Sequence, residues 1–227
     1  MKNPIIVALD VATTGEAARL VEKLQGHVGP FKVGMELYAA GGPQFVRELT
    51  ASGADVFLDM KFYDIPETVR RATAQVAELG VKLLTVHGSG AVMRAAVEGK
   101  AGAELRLLAV TVLTSFDQQD LADLGYPCLI GDLVSLRVSK AREAGIDGIV
   151  CSPLEVGSVR RIAGPEAVLV TPGVRSANAA QGDQKRVATP AEAIADGADY
   201  LVIGRQITRA SDPAEEAARI LEEIKAG

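Results

Sequence analysis

Three charged side chains fall within six positions of one apolar stretch, Val56-Phe57-Leu58-Asp59-Met60-Lys61-Phe62-Tyr63-Asp64-Ile65-Pro66-Glu67-Thr68. Alternate residues of a strand share a face, so Asp59 and Lys61 point together, away from Val56, Leu58 and Met60. In a strand covered on both sides, each charge left unpaired would cost roughly several kcal/mol, so the two must answer one another. Asp64 follows past the strand end, and Pro66 with Glu67 opens a helix striped by Val69, Ala72, Val76 and Leu79. Such a set suits a reaction in which negative charge leaves one atom and develops on its neighbour while an ammonium donates a proton. The plain alternative is a structural ion pair at a strand end running into an acidic helix start. Against it stand two further charges at comparable places, Asp10 after Pro4-Ile5-Ile6-Val7-Ala8-Leu9 and Lys32 inside Phe31-Lys32-Val33-Gly34-Met35.

A second group of residues has the chemistry of an anion site. Pro172-Gly173-Val174-Arg175, Gln184 within Gln181-Gly182-Asp183-Gln184-Lys185-Arg186, and Gly204-Arg205 each follow or approach an apolar run. An arginine beside a glycine lets a guanidinium fork and a backbone N–H reach the same phosphate oxygens. A single arginine is ordinarily a solvated surface residue, but two at adjacent strand ends, one beside the long Val174 to Val187 loop, argue for phosphate. Thr114 and Ser115 are either helix caps or hydrogen-bonding partners for a heterocyclic base. Gly88-Ser89-Gly90 reads as a tight turn, and His87 is assigned no role.

The elements that must position these residues recur with a regular beat. Apolar strands near residues 4–10, 31–35, 56–61, 83–87, 105–113, 149–151, 168–171 and 200–203 alternate with amphipathic helices. Thr13 and Glu16 have capping-box spacing, and the first helix runs to about Gln25; the second is expected from about Gly42 to Ser52. Ser152-Pro153-Leu154-Glu155, Thr189-Pro190-Ala191-Glu192 and Asp212-Pro213-Ala214-Glu215 each supply a cap, a first-turn proline and an acid. Gly53, Gly80, Gly145 and Gly197 each end a helix just before a strand. Eight such units imply a single α/β domain over residues 1–227, a (β/α)₈ barrel, with an open doubly wound sheet as the other arrangement considered. In such a barrel Asp10, Lys32, Asp59, Lys61 and Asp64 would converge on one mouth.

Composition narrows the class. A formal charge of −5 lacks the basic excess that duplex nucleic acid demands. Hydrophobic residues make up 48% of the chain, yet polar residues break every apolar run before the roughly 18 residues of a membrane span. The start, Met1-Lys2-Asn3-Pro4, has no signal-peptide pattern, so a cytoplasmic location is expected, with no nucleic-acid or membrane partner. Cys128 and Cys151 are expected to be reduced thiols, and two histidines are too few for a histidine metal site.

Ala8-Leu9-Asp10, Phe31-Lys32-Val33-Gly34, Asp59-Met60-Lys61-Phe62-Tyr63-Asp64-Ile65-Pro66, Thr171-Pro172-Gly173-Val174-Arg175, Gly182-Asp183-Gln184 and Ile203-Gly204-Arg205 occur in an order that resembles the orotidine 5′-phosphate decarboxylases over essentially the whole chain. The resemblance implies cofactor-free decarboxylation of orotidine 5′-monophosphate to uridine 5′-monophosphate, with no metal. It implies that Lys61 protonates C6, that Asp59 lies against the substrate carboxylate, and that Lys32 and Asp10 hold the ribose hydroxyls and the charge network. Asp64, Ile65 and Thr68 would act across a homodimer interface. Thr114 or Ser115 would read the pyrimidine, Gln184, Gly204 and Arg205 would take the phosphate, Arg175 would support the loop that closes over it, and Pro172 would join the substrate-binding residues. A magnesium-dependent keto-sugar-phosphate decarboxylase or aldolase on the same barrel is the alternative. Lys32 speaks against that alternative, because such relatives place a glutamate metal ligand there and an ammonium would repel Mg²⁺.

Overall fold

Strands that are apolar on both faces need cover on both faces, and a closed parallel barrel wrapped in helices provides it. The computed structural model describes residues 3–176 and 188–226. Its eight strands are β1 (Ile5–Ala8), β2 (Phe31–Gly34), β3 (Val56–Phe62), β4 (Leu83–His87), β5 (Arg106–Val110), β6 (Gly148–Val150), β7 (Val168–Pro172) and β8 (Tyr200–Ile203). They pair in parallel in chain order, and β8 returns to β1 through Ile5↔Leu201, Ile6↔Val202 and Val7↔Ile203. The doubly wound alternative is thereby set aside.

The two-residue alternation divides the core. Ile6, Phe57, Leu83, Leu108, Val170 and Tyr200 fill the barrel interior. Their neighbours, among them Ile5, Val7, Leu58, Leu84, Leu107 and Leu169, pack outward against the helices. Between β6 and β7 the walls close tightly: a Cβ added to Gly148 would lie 2.2 Å from the Val168 carbonyl oxygen, so only glycine fits.

Around the strands run α1 (Thr14–Leu24), α2 (Met35–Ala51), α3 (Pro66–Ala77), α4 (Gly90–Lys100), α5 (Gln118–Asp123), α6 (Ile130–Ala144), α7 (Val156–Ala163), α8 (Pro190–Ala195), α9 (Arg205–Thr208) and α10 (Pro213–Ala226). The expected starts hold. Thr13 caps α1 by accepting from the Glu16 N–H, Thr189 and Glu192 form a reciprocal box, and Asp212 accepts from the Ala214 and Glu215 N–H groups. Ser152 and Glu155 form the same box on a single 3₁₀ turn, Pro153–Glu155, that leads into α7. All four helix-ending glycines are left-handed, with φ of 86° at Gly53, 73° at Gly80, 77° at Gly145 and 109° at Gly197.

Two boundaries differ most from the sequence reading. The second helix begins at Met35, ahead of the expected Gly42. Gly42, at φ 59°, breaks it into two segments, and Pro43 opens the second, which matches the expected Gly42 to Ser52 helix. Strand β5 stops at Val110, so Thr111 to Ser115 leave the sheet and form the rim.

The rim at the strands' N-terminal ends is stitched by acids that follow the glycine stops. Asp147 accepts from the Leu107 N–H at 2.7 Å and from Lys100 Nζ at 2.7 Å. Asp199 repeats the device two strands on, with the Leu169 N–H and Arg160 each at 2.7 Å. In each case a carboxylate at the foot of one strand pins its neighbour.

Candidate active site

At the opposite rim the charges line up in alternation. Lys32 is held inside the barrel by β2, paired in register with the inward-facing Phe57. Its ammonium lies 2.9 Å from Asp10 Oδ1, just beyond β1, and 3.7 Å from Asp59 Oδ2. Asp59 Oδ1 in turn lies 2.9 Å from Lys61 Nζ. The order along the wall is therefore Asp10, Lys32, Asp59, Lys61. Gly34 makes room for it, since a Cβ there would come within 3.2 Å of Lys32 Nζ.

Asp59 anchors the array, with its side chain only 14% exposed. Burial pushes its carboxyl upward, but the charges of Lys32 and Lys61, with hydrogen bonds from Lys61 and Thr85, outweigh this and hold it below the ordinary carboxylate value. Thr85 was not singled out in the sequence, where it is one more β-branched strand residue. Its buried hydroxyl donates to Asp59 Oδ1 and accepts from the Lys61 N–H, both at 2.9 Å.

Lys61 reaches its place by an unexpected route. Strand alternation puts it on the face of Asp59, but the pairing of β3 with β4 jumps from Leu58↔Leu84 to Phe62↔Val86. Four steps on β3 (58 to 62) match two on β4 (84 to 86), so β3 carries two extra residues here. Lys61 sits in this bulge with φ of 48°, in the left-handed region. For a residue with a side chain that conformation costs roughly 1–2 kcal/mol, and Thr85 holds it by taking the N–H that the sheet no longer uses.

The array forms one wall of a cavity of about 1180 Å³ that Thr114, Ser115, Pro172, Arg175, Gly204 and Arg205 also line. Thr114 is half-buried and Ser115 is exposed. The structure thus brings most of the candidate residues from six strand ends into one chamber, charged pairs on one side and arginines on another. Gln184 lies outside the described residues. Asp64, Ile65 and Thr68 are exposed and do not line this chamber, which corrects the expectation that Asp64 joins the other charges at the same mouth. The chain turns outward after the bulge, and Asp64 Oδ1 accepts the Ile65 N–H at 2.6 Å. Tyr63 and Ile65 are each 68% exposed.

The cavity wall also holds residues that no motif flagged. Ser176, Gln206, Glu216 and Arg219 lie beside Arg175 and Arg205, joined by hydrogen bonds across 10 to 43 residues of sequence. Among the described residues no group of three or more His, Cys, Asp or Glu side chains is placed to hold a metal ion. None of the described helices is long and apolar enough to cross a membrane. Neither Cys128 nor Cys151 forms a disulfide.

Comparison with known proteins adds an independent line. Orotidine 5′-phosphate decarboxylases of Methylobacterium nodulans and of Bradyrhizobium sp. (strain ORS 278) are each 50% identical to the chain, over 99% and 97% of it and over 97% and 90% of their own lengths. The crystal structure of orotidine 5′-phosphate decarboxylase from Lactobacillus acidophilus superposes with a TM-score of 0.87 at 34% identity, covering 98% of this chain and 99% of that one. An uncharacterised conserved protein from Geobacillus kaustophilus superposes with a TM-score of 0.85 at 37% identity, covering 97% of this chain and all of that one. The family model described as "Orotidine 5'-phosphate decarboxylase / HUMPS family" matches residues 3–220. With that match over nearly the whole chain, and relatives at half identity, the chain belongs to the orotidine 5′-phosphate decarboxylase / HUMPS family.

Proposed function

We propose that this chain is a carboxy-lyase that converts orotidine 5′-monophosphate to uridine 5′-monophosphate and carbon dioxide, the closing step of pyrimidine nucleotide synthesis, without metal or organic cofactor. The observation that carries the reading is the unbroken Asp10, Lys32, Asp59, Lys61 array in the cavity wall. Lys32 places an ammonium between the Asp10 and Asp59 carboxylates, the position a bridging divalent cation would need. The protein thus supplies its own positive charge there.

In this reading the bond from C6 to the carboxylate carbon breaks, carbon dioxide departs, and the electron pair stays on C6. A proton from Lys61 Nζ then forms the new C6–H bond. Lys61 is the charge aimed at the carbon where negative charge develops, and a positioned donor of this kind is typically worth roughly 3–4 kcal/mol. Asp59 lies against the substrate carboxylate and orients Lys61. Its lowered carboxyl keeps it ionised at neutral pH, so repulsion of the substrate carboxylate is also available. Stabilisation by Lys61 is given the larger share, because like-charge contacts relax by protonation or motion. Lys32 and Asp10 hold the ribose hydroxyls, Thr114 or Ser115 reads the pyrimidine, Gln184, Gly204 and Arg205 take the phosphate, and Pro172 and Arg175 shape the loop root. Asp64, Ile65 and Thr68 complete the site of a second copy in a homodimer; their exposure, with that of Tyr63, supports this.

The test is decarboxylation of orotidine 5′-monophosphate by purified protein in excess EDTA, followed by loss of the substrate's ultraviolet absorbance. Rapid turnover is expected. Silence in EDTA that Mg²⁺ restores would replace the metal-free mechanism, and silence under both conditions would turn attention to keto-sugar phosphates and to nucleotide binding without chemistry.

A further inference from the structure

Ser176 follows Arg175 directly, and Gln206 follows Arg205 directly. The two followers are clamped together: Gln206 Nε2 donates to Ser176 Oγ at 2.9 Å, and the Ser176 N–H donates to Gln206 Oε1 at 3.3 Å. Ser176 is only 6% exposed, and its hydroxyl also donates to Glu223 at 2.6 Å and accepts from Arg219 at 3.0 Å. Gln206 donates onward to Glu216 Oε1 at 2.9 Å. Arg219 lies 2.7 Å from Glu216 and 3.6 Å from Glu223, between the two carboxylates. The two arginine-bearing strand ends are therefore tied to each other and to the last helix.

This arrangement presents an electrostatic problem. Glu216 lines the same cavity as Arg175 and Arg205, so a carboxylate faces the chamber proposed to receive a phosphate. Hydrogen bonding from Arg219 is the largest influence on Glu216, opposed by burial and aided by Gln206, and it holds the carboxyl below its ordinary value. The acid therefore stays charged at neutral pH, and without a counter-charge it would repel an anionic ligand. We infer that Arg219 is a positioning residue for phosphate binding: it neutralises Glu216 and Glu223 and, through Ser176 and Gln206, fixes the strand ends that carry Arg175 and Arg205.

The inference rests on the proposed decarboxylation of a phosphate-bearing nucleotide, so wild-type turnover of orotidine 5′-monophosphate is established first. If the wild-type protein is inactive, that reading fails on its own account. With turnover in hand, KM, kcat and melting temperature are compared for wild type, Arg219→Ala, Arg219→Lys and the double variant Glu216→Gln/Arg219→Ala. Arg219→Ala is expected to raise KM roughly threefold to tenfold, the size expected of one partly exposed charge, with kcat at saturation close to wild type. Arg219→Lys should recover part of the KM, and the double variant more, because it removes the uncompensated negative charge of Glu216 instead of restoring the arginine. A merely structural helix contact would lower the melting temperature and kcat together and would not be rescued by Glu216→Gln. That outcome, or an unchanged KM in Arg219→Ala, would overturn the inference.

Discussion

In the proposed reaction Lys61 and Arg205 would serve opposite ends of the substrate, and their loss should register in different kinetic constants. Removing the ammonium of Lys61 deletes charge stabilisation at the reacting carbon together with the proton source. Lys61→Ala is therefore expected to lower kcat by at least roughly a hundredfold to a thousandfold. Arg205→Ala would remove the proposed contact to the phosphate, a group that does not react, and its main effect should be a KM higher by roughly tenfold or more, the worth of a charged hydrogen bond. Steady-state kinetics at saturating substrate separate the two; equal losses of kcat would refute the division of labour. Remote binding energy of this kind can still align a reacting centre it never touches, so a smaller kcat effect at Arg205 is compatible with it. At this scale the sequence was informative about types but silent about support. Asp59, Lys61 and Lys32 could be picked out because charge inside an apolar strand is costly, whereas Thr85 is a β-branched residue in a strand, which is ordinary. Its importance lies in a hydroxyl that meets Lys61 and Asp59 from the next strand, and only pairing register reveals that.

Elements were legible where local chemistry decides them. Proline after a cap and glycine before a strand are enforced by backbone geometry within a few residues, so helix starts at Thr13, Thr189 and Asp212 and stops at Gly53 and Gly145 could be read directly. The bulge in β3 could not, because nothing local in Asp59-Met60-Lys61-Phe62 demands extra residues; it is imposed by pairing with β4 and accommodated by Thr85. The early start of α2 is hidden for a related reason: the turns from Met35 are a separate segment that meets the expected helix at Gly42. Close packing of neighbouring strands is likewise hidden in a sequence. Gly148 reads as an unremarkable residue after Asp147, yet the Val168 carbonyl occupies the space of a side chain. Gly148→Ala is thus expected to destabilise the fold by roughly 1–3 kcal/mol through overpacking, measured by chemical denaturation. An unchanged denaturation midpoint would mean that β6 and β7 can part without cost.

For the whole molecule, the closed barrel followed from counting units, since eight strands of one hand leave no edge to cover. The assembly is a different matter, because an interface is a surface property and no spacing rule encodes it. If Asp64 completes the site of a second copy, mixing Asp64→Asn with Lys61→Ala protein should restore activity. Random pairing makes half the dimers mixed, each with one native site in two, so recovery of about a quarter of wild-type activity is expected. No recovery after subunit exchange has been demonstrated, for instance by mass labelling, would place Asp64 outside the partner's chemistry. The pairing of β8 with β1 bears on how such a molecule comes into being. Asp10 leaves the ribosome nearly two hundred residues ahead of Arg205 and Glu216, and Leu201 must find Ile5 before they share a chamber. Long-range closure of this kind is the slow part of folding. Helices and neighbouring strands can gather while the chain is still being made, but the chamber does not exist until β8 docks on β1, so turnover reports that the barrel has closed.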